Sequence, residues 1–262
     1  MDLPVLTSFQ HDIVYNMLSL AIASMLASFA FFVMARDQLA PKFRPAMVMS
    51  SLVVGIAGYH YWRIFNSWED AYVLAETGMY VATNQPFNDA YRYVDWLLTV
   101  PLLVAELVAV LALPKERRSS LMPRLVIAAV LMIALGYPGE ISSDASTRVL
   151  WALLSTIPFV YILYVLWVEI TAAASDMDER TQVLLRNTKL LLVGTWGFYP
   201  IAYALPLLGI SGSSAVVGVQ VGYSIADIAA KCGYGIMIYA IARSKMRAEG
   251  LDETGAAAAA TA

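Results

Sequence analysis

The chain has 262 residues, of which 60% are apolar and 14% charged, and its mean hydropathy is +0.64. Soluble domains carry roughly a quarter charged residues, so an ordinary soluble domain is excluded. The net charge of −3 is weak, and the basic residues rim the apolar runs instead of forming one face, which argues against a nucleic-acid partner.

The apolar residues gather in long runs. Ile13 to Ala35, Pro45 to Trp62 (interrupted by His60 alone) and Val149 to Val168 each suit one bilayer crossing of ~20 residues. Tyr93 to Leu113 is a further run that contains two acids, and Leu125 to Gly139 is a shorter one that Leu121 and Met122 extend. Leu190 to Ala226 is too long for one crossing, and the Pro206, Gly209, Ser211, Gly212, Ser213 and Ser214 cluster reads as a turn inside it. The sum is an all-α membrane protein of seven helices, at 12–36, 44–66, 88–113, 121–138, 146–173, 183–207 and 215–243. The connection from Ser67 to Asn88 is the longest, and Thr83–Asn84–Gln85–Pro86 has the composition to turn a short hairpin there.

With the N-terminus outside, the inner ends hold 13 of the 17 Lys and Arg residues, and the opposite side keeps Arg63, Arg92 and Arg148. That bias sets the expected orientation, with the C-terminus in the cytoplasm and the chain in the inner (plasma) membrane. Residues 1–247 are expected to form one transmembrane domain and 248–262 a disordered tail. No basic stretch followed by a short apolar core marks a cleaved leader. The lone Cys232 excludes an internal disulfide and reads as a small packed residue. No repeat, phosphate loop or Cys/His metal spacing is found.

A charge at the centre of a membrane helix costs ~2.5–3.5 kcal/mol, so the acids and bases within the runs are functional candidates. Asp95 and Glu106 lie on the third helix, Asp227 and Lys231 on the seventh, with Arg92 one turn outward from Asp95 and His60 in the second helix. Asp227 and Lys231 are four residues apart and share a face, about 6 Å apart along the axis. The plainer account is a salt bridge that closes the bundle; the sharper one is an amine poised to condense with an aldehyde, its imine kept charged by carboxylates. Arg92, Asp95 and Thr99 form one stripe, and Glu106, eleven residues past Asp95, falls about 20° from the same face and roughly 16 Å further along the axis. A site between the two acids could take protons from Glu106 and pass them to Asp95, which favours outward transport. Glu106 as a neutral packing acid and His60 as a satisfied polar residue between helices stay open.

Three motifs carry a resemblance. Arg92-Tyr93-Val94-Asp95-Trp96-Leu97-Leu98-Thr99-Val100-Pro101-Leu102, Trp196-Gly197-Phe198-Tyr199-Pro200 and Asp227-Ile228-Ala229-Ala230-Lys231, in this order and on these helices, resemble the microbial (type 1) rhodopsins of the proteorhodopsin/xanthorhodopsin branch. The resemblance spans all seven helices and implies a light-driven outward proton pump; the alternative in the same family is a photosensory rhodopsin signalling to a transducer. It implies all-trans retinal on Lys231 as a protonated Schiff base, Asp95 and Asp227 as counterions, Asp95 as proton acceptor and Glu106 as donor. His60 matches a histidine that bonds the acceptor or reaches a neighbouring subunit, and a homo-oligomer, trimer or pentamer, is expected in the bilayer. By position, Trp96 and Trp196 would sandwich the polyene beside Tyr199, Pro200 and Tyr203, with Met132, Gly136, Ser155, Thr156 and Phe159 around the ring. Ordinary bundle packing is the alternative for these aromatics. Leu103 stands where green-absorbing proteorhodopsins have Leu, which implies green absorption.

Two departures stand out. The loop between the sixth and seventh helices contains no acid, so the paired glutamates that release protons early in bacteriorhodopsin have no counterpart there. Members that bind a carotenoid antenna have Gly where this chain has Ala152, which leaves antenna binding undecided. No nucleophile–base pair supports an enzyme.

Overall fold

The computed structural model describes residues 3–175 and 177–251. Helix α1 spans Ser8–Arg36, α2 Arg44–Ala71, α3 Tyr91–Leu111, α4 Lys115–Glu140 and α5 Ala145–Ala174. The sixth crossing is divided into α6 (Glu179–Trp196) and α7 (Phe198–Ala204). The seventh runs as α8 (Ser213–Asp227), one π-helical segment (Ile228–Gly233) and α9 (Tyr234–Ala248). The result is a seven-helix bundle in which α1 packs on α2, α2 on α3, α3 on α4, α4 on α5, α5 on α6 and α6 on α9, while α8 closes the ring against α1. Among the described residues, α1, α3, α4, α5 and the continuous run from Ser213 to Ala248 are long and apolar enough to cross a membrane. α2 reaches the same length with His60, Arg63, Glu69 and Asp70 along it, and α6 is cut short by its break.

Several boundaries differ from the expected ones, each for a local reason. The sixth helix does not run unbroken over 183–207. Pro200 has no N–H to offer the carbonyl four residues back, and the chain breaks at Gly197. α9 continues through Ala248 and Leu251 packs against the core; the rest of the expected tail, 252–262, lies outside the described residues. The hairpin is present, but its turn is not at Thr83–Pro86. Strands β2 (Tyr72–Leu74) and β3 (Met79–Ala82) are joined through Ala75–Gly78, where Gly78 adopts φ 74°, a left-handed conformation that favours glycine. Thr83 follows β3 and donates its hydroxyl to the carbonyl of Asp70 at 2.6 Å. A third strand, β1 (Leu6–Thr7), pairs antiparallel with β3, Leu6 opposite Tyr80, and gives the order β1-β3-β2.

Packing pins this small sheet to the bundle. His11 stacks on Tyr80 with ring centroids 3.7 Å apart and lies 5.8 Å from Trp68 of α2. Thr7 and Gln10 form a capping box at the start of α1. Asp144 caps α5, accepting from the Thr147 amide at 2.7 Å and the Ser146 hydroxyl at 2.6 Å. These donors hold its carboxyl down at about 2. A lowered acid stabilises the folded state above its unfolded pKa of ~4, and that contribution disappears as the pH falls through the folded value. The cap therefore stays charged at neutral pH.

Glycine permits a close helix approach at the hairpin end of α4 and α5. A Cβ on Gly139 would lie 2.9 Å from Trp151 Cβ and 3.3 Å from the Arg148 carbonyl, and would collide with the Tyr203 hydroxyl. Trp151 Cβ is fixed to its helix and has no room to yield. Gly139→Ala is expected to cost about 1–3 kcal/mol and to lower the thermal denaturation midpoint of the detergent-solubilised protein; an unchanged midpoint would contradict this packing.

Candidate functional site

Two helices bring the intramembrane charges together. Asp95, Thr99 and Glu106 fall on the inward face of α3 with Arg92, and all four are buried. Asp227 ends α8 and Lys231 lies in the π-helical segment, both buried. The extra residue per turn of that segment alters the phase of the helix at Lys231. Lys231 Nζ lies 2.7 Å from Asp227 Oδ1 and 2.9 Å from Asp95 Oδ2, one amine between two carboxylates.

The two acids are held differently. Tyr199 donates to Asp227 Oδ1 at 2.5 Å and Tyr61 donates to Oδ2 at 2.8 Å. Apart from the Lys231 amine, no side chain donates a hydrogen bond to either oxygen of Asp95 among the described residues. The Thr99 hydroxyl is spent on the Asp95 carbonyl at 2.8 Å. His60 Nδ1 lies 3.9 Å from Asp95 Oδ1, too far for a hydrogen bond, and instead bonds the Ile56 carbonyl at 3.0 Å, which requires the proton on Nδ1. Arg92 turns away from Asp95. It pairs with Asp89, and its guanidinium carbon lies 5.1 Å from the Tyr223 ring and 5.8 Å from that of Tyr61.

Glu106 stands apart from this cluster, further along α3. Ser50 of α2 donates to its Oε2 at 2.6 Å, and Oε1 has no hydrogen-bond partner among the described residues. Ser50 and Tyr61 were not singled out in the sequence. Each is one polar residue in an apolar run, and its partner lies on another helix, so no local spacing reveals it.

A cavity of about 270 Å3 opens beside the Lys231 amine. All twelve residues that the sequence associates with a chromophore pocket line it: Trp96 and Leu103 from α3, Met132 and Gly136 from α4, Ser155, Thr156 and Phe159 from α5, Trp196, Tyr199, Pro200 and Tyr203 from the sixth crossing, and Lys231 itself. Ala152 joins the wall on α5. Tyr93, Val100, Ile133, Ala204, Leu207, Tyr223 and Ala230 complete it and were missed. Tyr93 and Val100 share the helical stripe of Trp96, so periodicity alone could have found them.

A second cavity, of about 360 Å3, lies at the hairpin end, bounded by Asp89, Arg92, Tyr137, Glu140 and the turn Ile141–Ser143 among others. Tyr93, Trp96 and Tyr223 line both cavities and form the partition between them.

Comparison with known proteins agrees with this architecture. The sequence model of the family described as bacteriorhodopsin-like protein matches residues 13–245. The green-light absorbing proteorhodopsin of Gamma-proteobacterium EBAC31A08 is 31% identical over 226 residues, 85% of this chain and 84% of that protein. The crystallographic structure of xanthorhodopsin, described as a light-driven ion pump with dual chromophore, superimposes with a TM-score of 0.90 at 54% identity, covering 95% of this chain and 99% of that one. A thermophilic rhodopsin structure matches with the same TM-score at 52% identity, again covering 95% and 99% of the two chains. The chain therefore belongs to the bacteriorhodopsin-like family, as a microbial type 1 rhodopsin of the proteorhodopsin/xanthorhodopsin branch.

Proposed function

We propose that the protein is a light-driven proton pump that moves protons outward, with retinal joined to Lys231. The observation that carries this reading is a buried amine at the wall of a largely apolar cavity, held between two buried carboxylates. The relatives support it by name: a proteorhodopsin and a light-driven ion pump. The residues present fit the group. The cavity is faced by two tryptophans and by the small residues Gly136 and Ala152, and the Lys231 amine is the reactive group at its wall. Retinal bound there as a protonated Schiff base would supply visible absorption and a photoisomerisation that displaces the nitrogen proton.

The protein's own groups then sort by their partners. Protonating Asp227 would forfeit the hydrogen bonds from Tyr61 and Tyr199, whereas Asp95 accepts none besides that of the Lys231 amine itself, so Asp95 is the acid that takes the proton from the Lys231 nitrogen. Asp227 remains the fixed counterion. Glu106, bonded by Ser50 on the far side of Asp95, returns a proton to the nitrogen. With 13 of 17 basic residues at the Glu106 end, that end is assigned to the cytoplasm, the N-terminus lies outside, and transport runs outward across the plasma membrane. In an unbuffered suspension of cells supplied with retinal, illumination is expected to acidify the medium and a protonophore to abolish the change. Light-driven alkalinisation, or no change, would defeat the pump.

Asp95→Asn should shift the absorption band to the red and abolish outward pumping, because a counterion charge and the acceptor are lost together. An unshifted band or normal acidification would remove Asp95 from that role. Glu106→Gln should leave the colour nearly unchanged while slowing reprotonation of the Lys231 nitrogen by at least about tenfold, with a rate that becomes strongly pH-dependent. Flash photolysis showing the wild-type rate would reduce Glu106 to a packing residue.

An antenna carotenoid is a finer part of the proposal. Ala152 and Thr156 line the cavity on α5, and Thr156 is also exposed at the bundle surface, so the wall is thin here. The Ala152 methyl thickens that wall by one group, at a cost of ~1–3 kcal/mol to a ligand ring packed against it. Ala152→Gly is expected to strengthen carotenoid-sensitised retinal excitation after incubation with lutein or zeaxanthin. Equal sensitisation in both proteins would show that position 152 is not the gate.

A further inference from the structure

The exit side of the bundle holds a carboxylate that the mechanism above does not use. The partition of Tyr93, Trp96 and Tyr223 separates the Asp95 cluster from a polar vestibule of about 360 Å3, large enough to hold water. Two acids line that vestibule, Asp89 and Glu140. Asp89 is committed: it pairs with Arg92 and accepts from Gln220 Nε2 at 3.3 Å. Glu140 is not. Its Oε2 lies 3.5 Å from an Arg148 nitrogen, yet no donor forms a hydrogen bond to that buried oxygen among the described residues. On the opposite wall the Arg92 side chain is 2% exposed, and its Nε and Nη2 have no hydrogen-bond partner among the described residues. Such buried donors turn to water or to an acceptor in the cavity they line.

We propose that Glu140 is the exit-side proton holder of this pump, an inference that rests on the pump reading above. A group in this role must meet the vestibule on one side and solvent on the other, keep an oxygen open, and have cations near enough to hold its charged form. Glu140 meets each condition, with a side chain 26% exposed, one open oxygen, and Arg148 and Arg92 facing it. The groups that face it are Arg148 from α5, Tyr203 from α7, Asp89, Arg92 and Tyr93 from α3 and its preceding turn, and Tyr223 from α8. The step is a proton transfer alone: the carboxylate takes the proton that leaves the Asp95 side, becomes a neutral acid, and returns to carboxylate as the proton passes to bulk water. It also accounts for the acid-free loop between the sixth and seventh crossings, since the holder comes from the end of α4 instead.

The test compares wild type with Glu140→Gln as retinal-loaded pigments. A pH-indicator dye in the medium reports proton release after a flash, and infrared spectroscopy reports carboxyl titration in the dark. The colour and the proton transfer to Asp95 should persist, while release to the medium is delayed about tenfold. The dark pH-difference spectrum of wild type should contain a carboxyl band that the Gln variant lacks, and Glu140→Asp should restore both signals. Equal release times in wild type and the Gln variant, or identical dark spectra, would overturn the assignment. If Glu140→Gln forms no pigment, Glu140→Asp replaces it: pulling the acid back by one methylene should change the release time at least about threefold, and an unchanged time overturns the proposal. Absence of any light-driven acidification in wild type would refute the pump reading instead, and the dark spectra would still decide whether Glu140 titrates.

Discussion

The Lys231 amine between Asp95 and Asp227 is the interaction on which the rest of the structure depends. Burying one ion in a membrane interior costs several kcal/mol, and removing one partner of a buried pair typically costs about 3–5 kcal/mol. Three such groups survive here because each answers another at 2.7 to 2.9 Å and two phenols complete the shell of Asp227. That arrangement needs α2, α3, the sixth crossing and the seventh crossing at fixed distances. The packed bundle, with Gly139 at the tight contact of α4 with α5, supplies those distances.

Asymmetry in the cluster gives it direction. Asp227 accepts from two phenols and Asp95 from none, so on the proposed reading a proton leaving the amine goes to Asp95. Beyond Asp95 lie the aromatic partition and the polar vestibule; behind it, along α3, lies Glu106 in a tight apolar setting relieved by Ser50. The two ends differ in openness as well as in charge. A cavity of about 360 Å3 reaches toward the hairpin end, while Glu106 is 1% exposed.

Much of this was legible because charge is rare inside a membrane helix. Asp95, Glu106, Asp227 and Lys231 announce themselves against apolar neighbours, and i, i+4 spacing places the last two together. Partners on other helices were not legible: Tyr61 and Ser50 carry no local pattern, and their roles arise only when α2 packs on α3 and on the seventh crossing. Arg92 shares the stripe of Asp95 in sequence, but its long side chain reaches toward Asp89, a choice that helical periodicity cannot state. The hairpin turn was misplaced for a related reason. Thr83 to Pro86 has turn composition, yet the register is set by Gly78 and by a pairing of Tyr80 with Leu6, more than seventy residues away. Pro200 carried the signal for the break in the sixth crossing, and the expectation of one continuous helix there underweighted it.

The central claim is that this one amine holds the chromophore, and a covalent map tests it most directly. The retinal-loaded pigment would be reduced with borohydride under illumination, digested, and its peptides weighed. The account predicts a retinyl adduct on the peptide that contains Lys231 and on no other lysine. An adduct on a different lysine, or pigment that yields no adduct at Lys231, would contradict it.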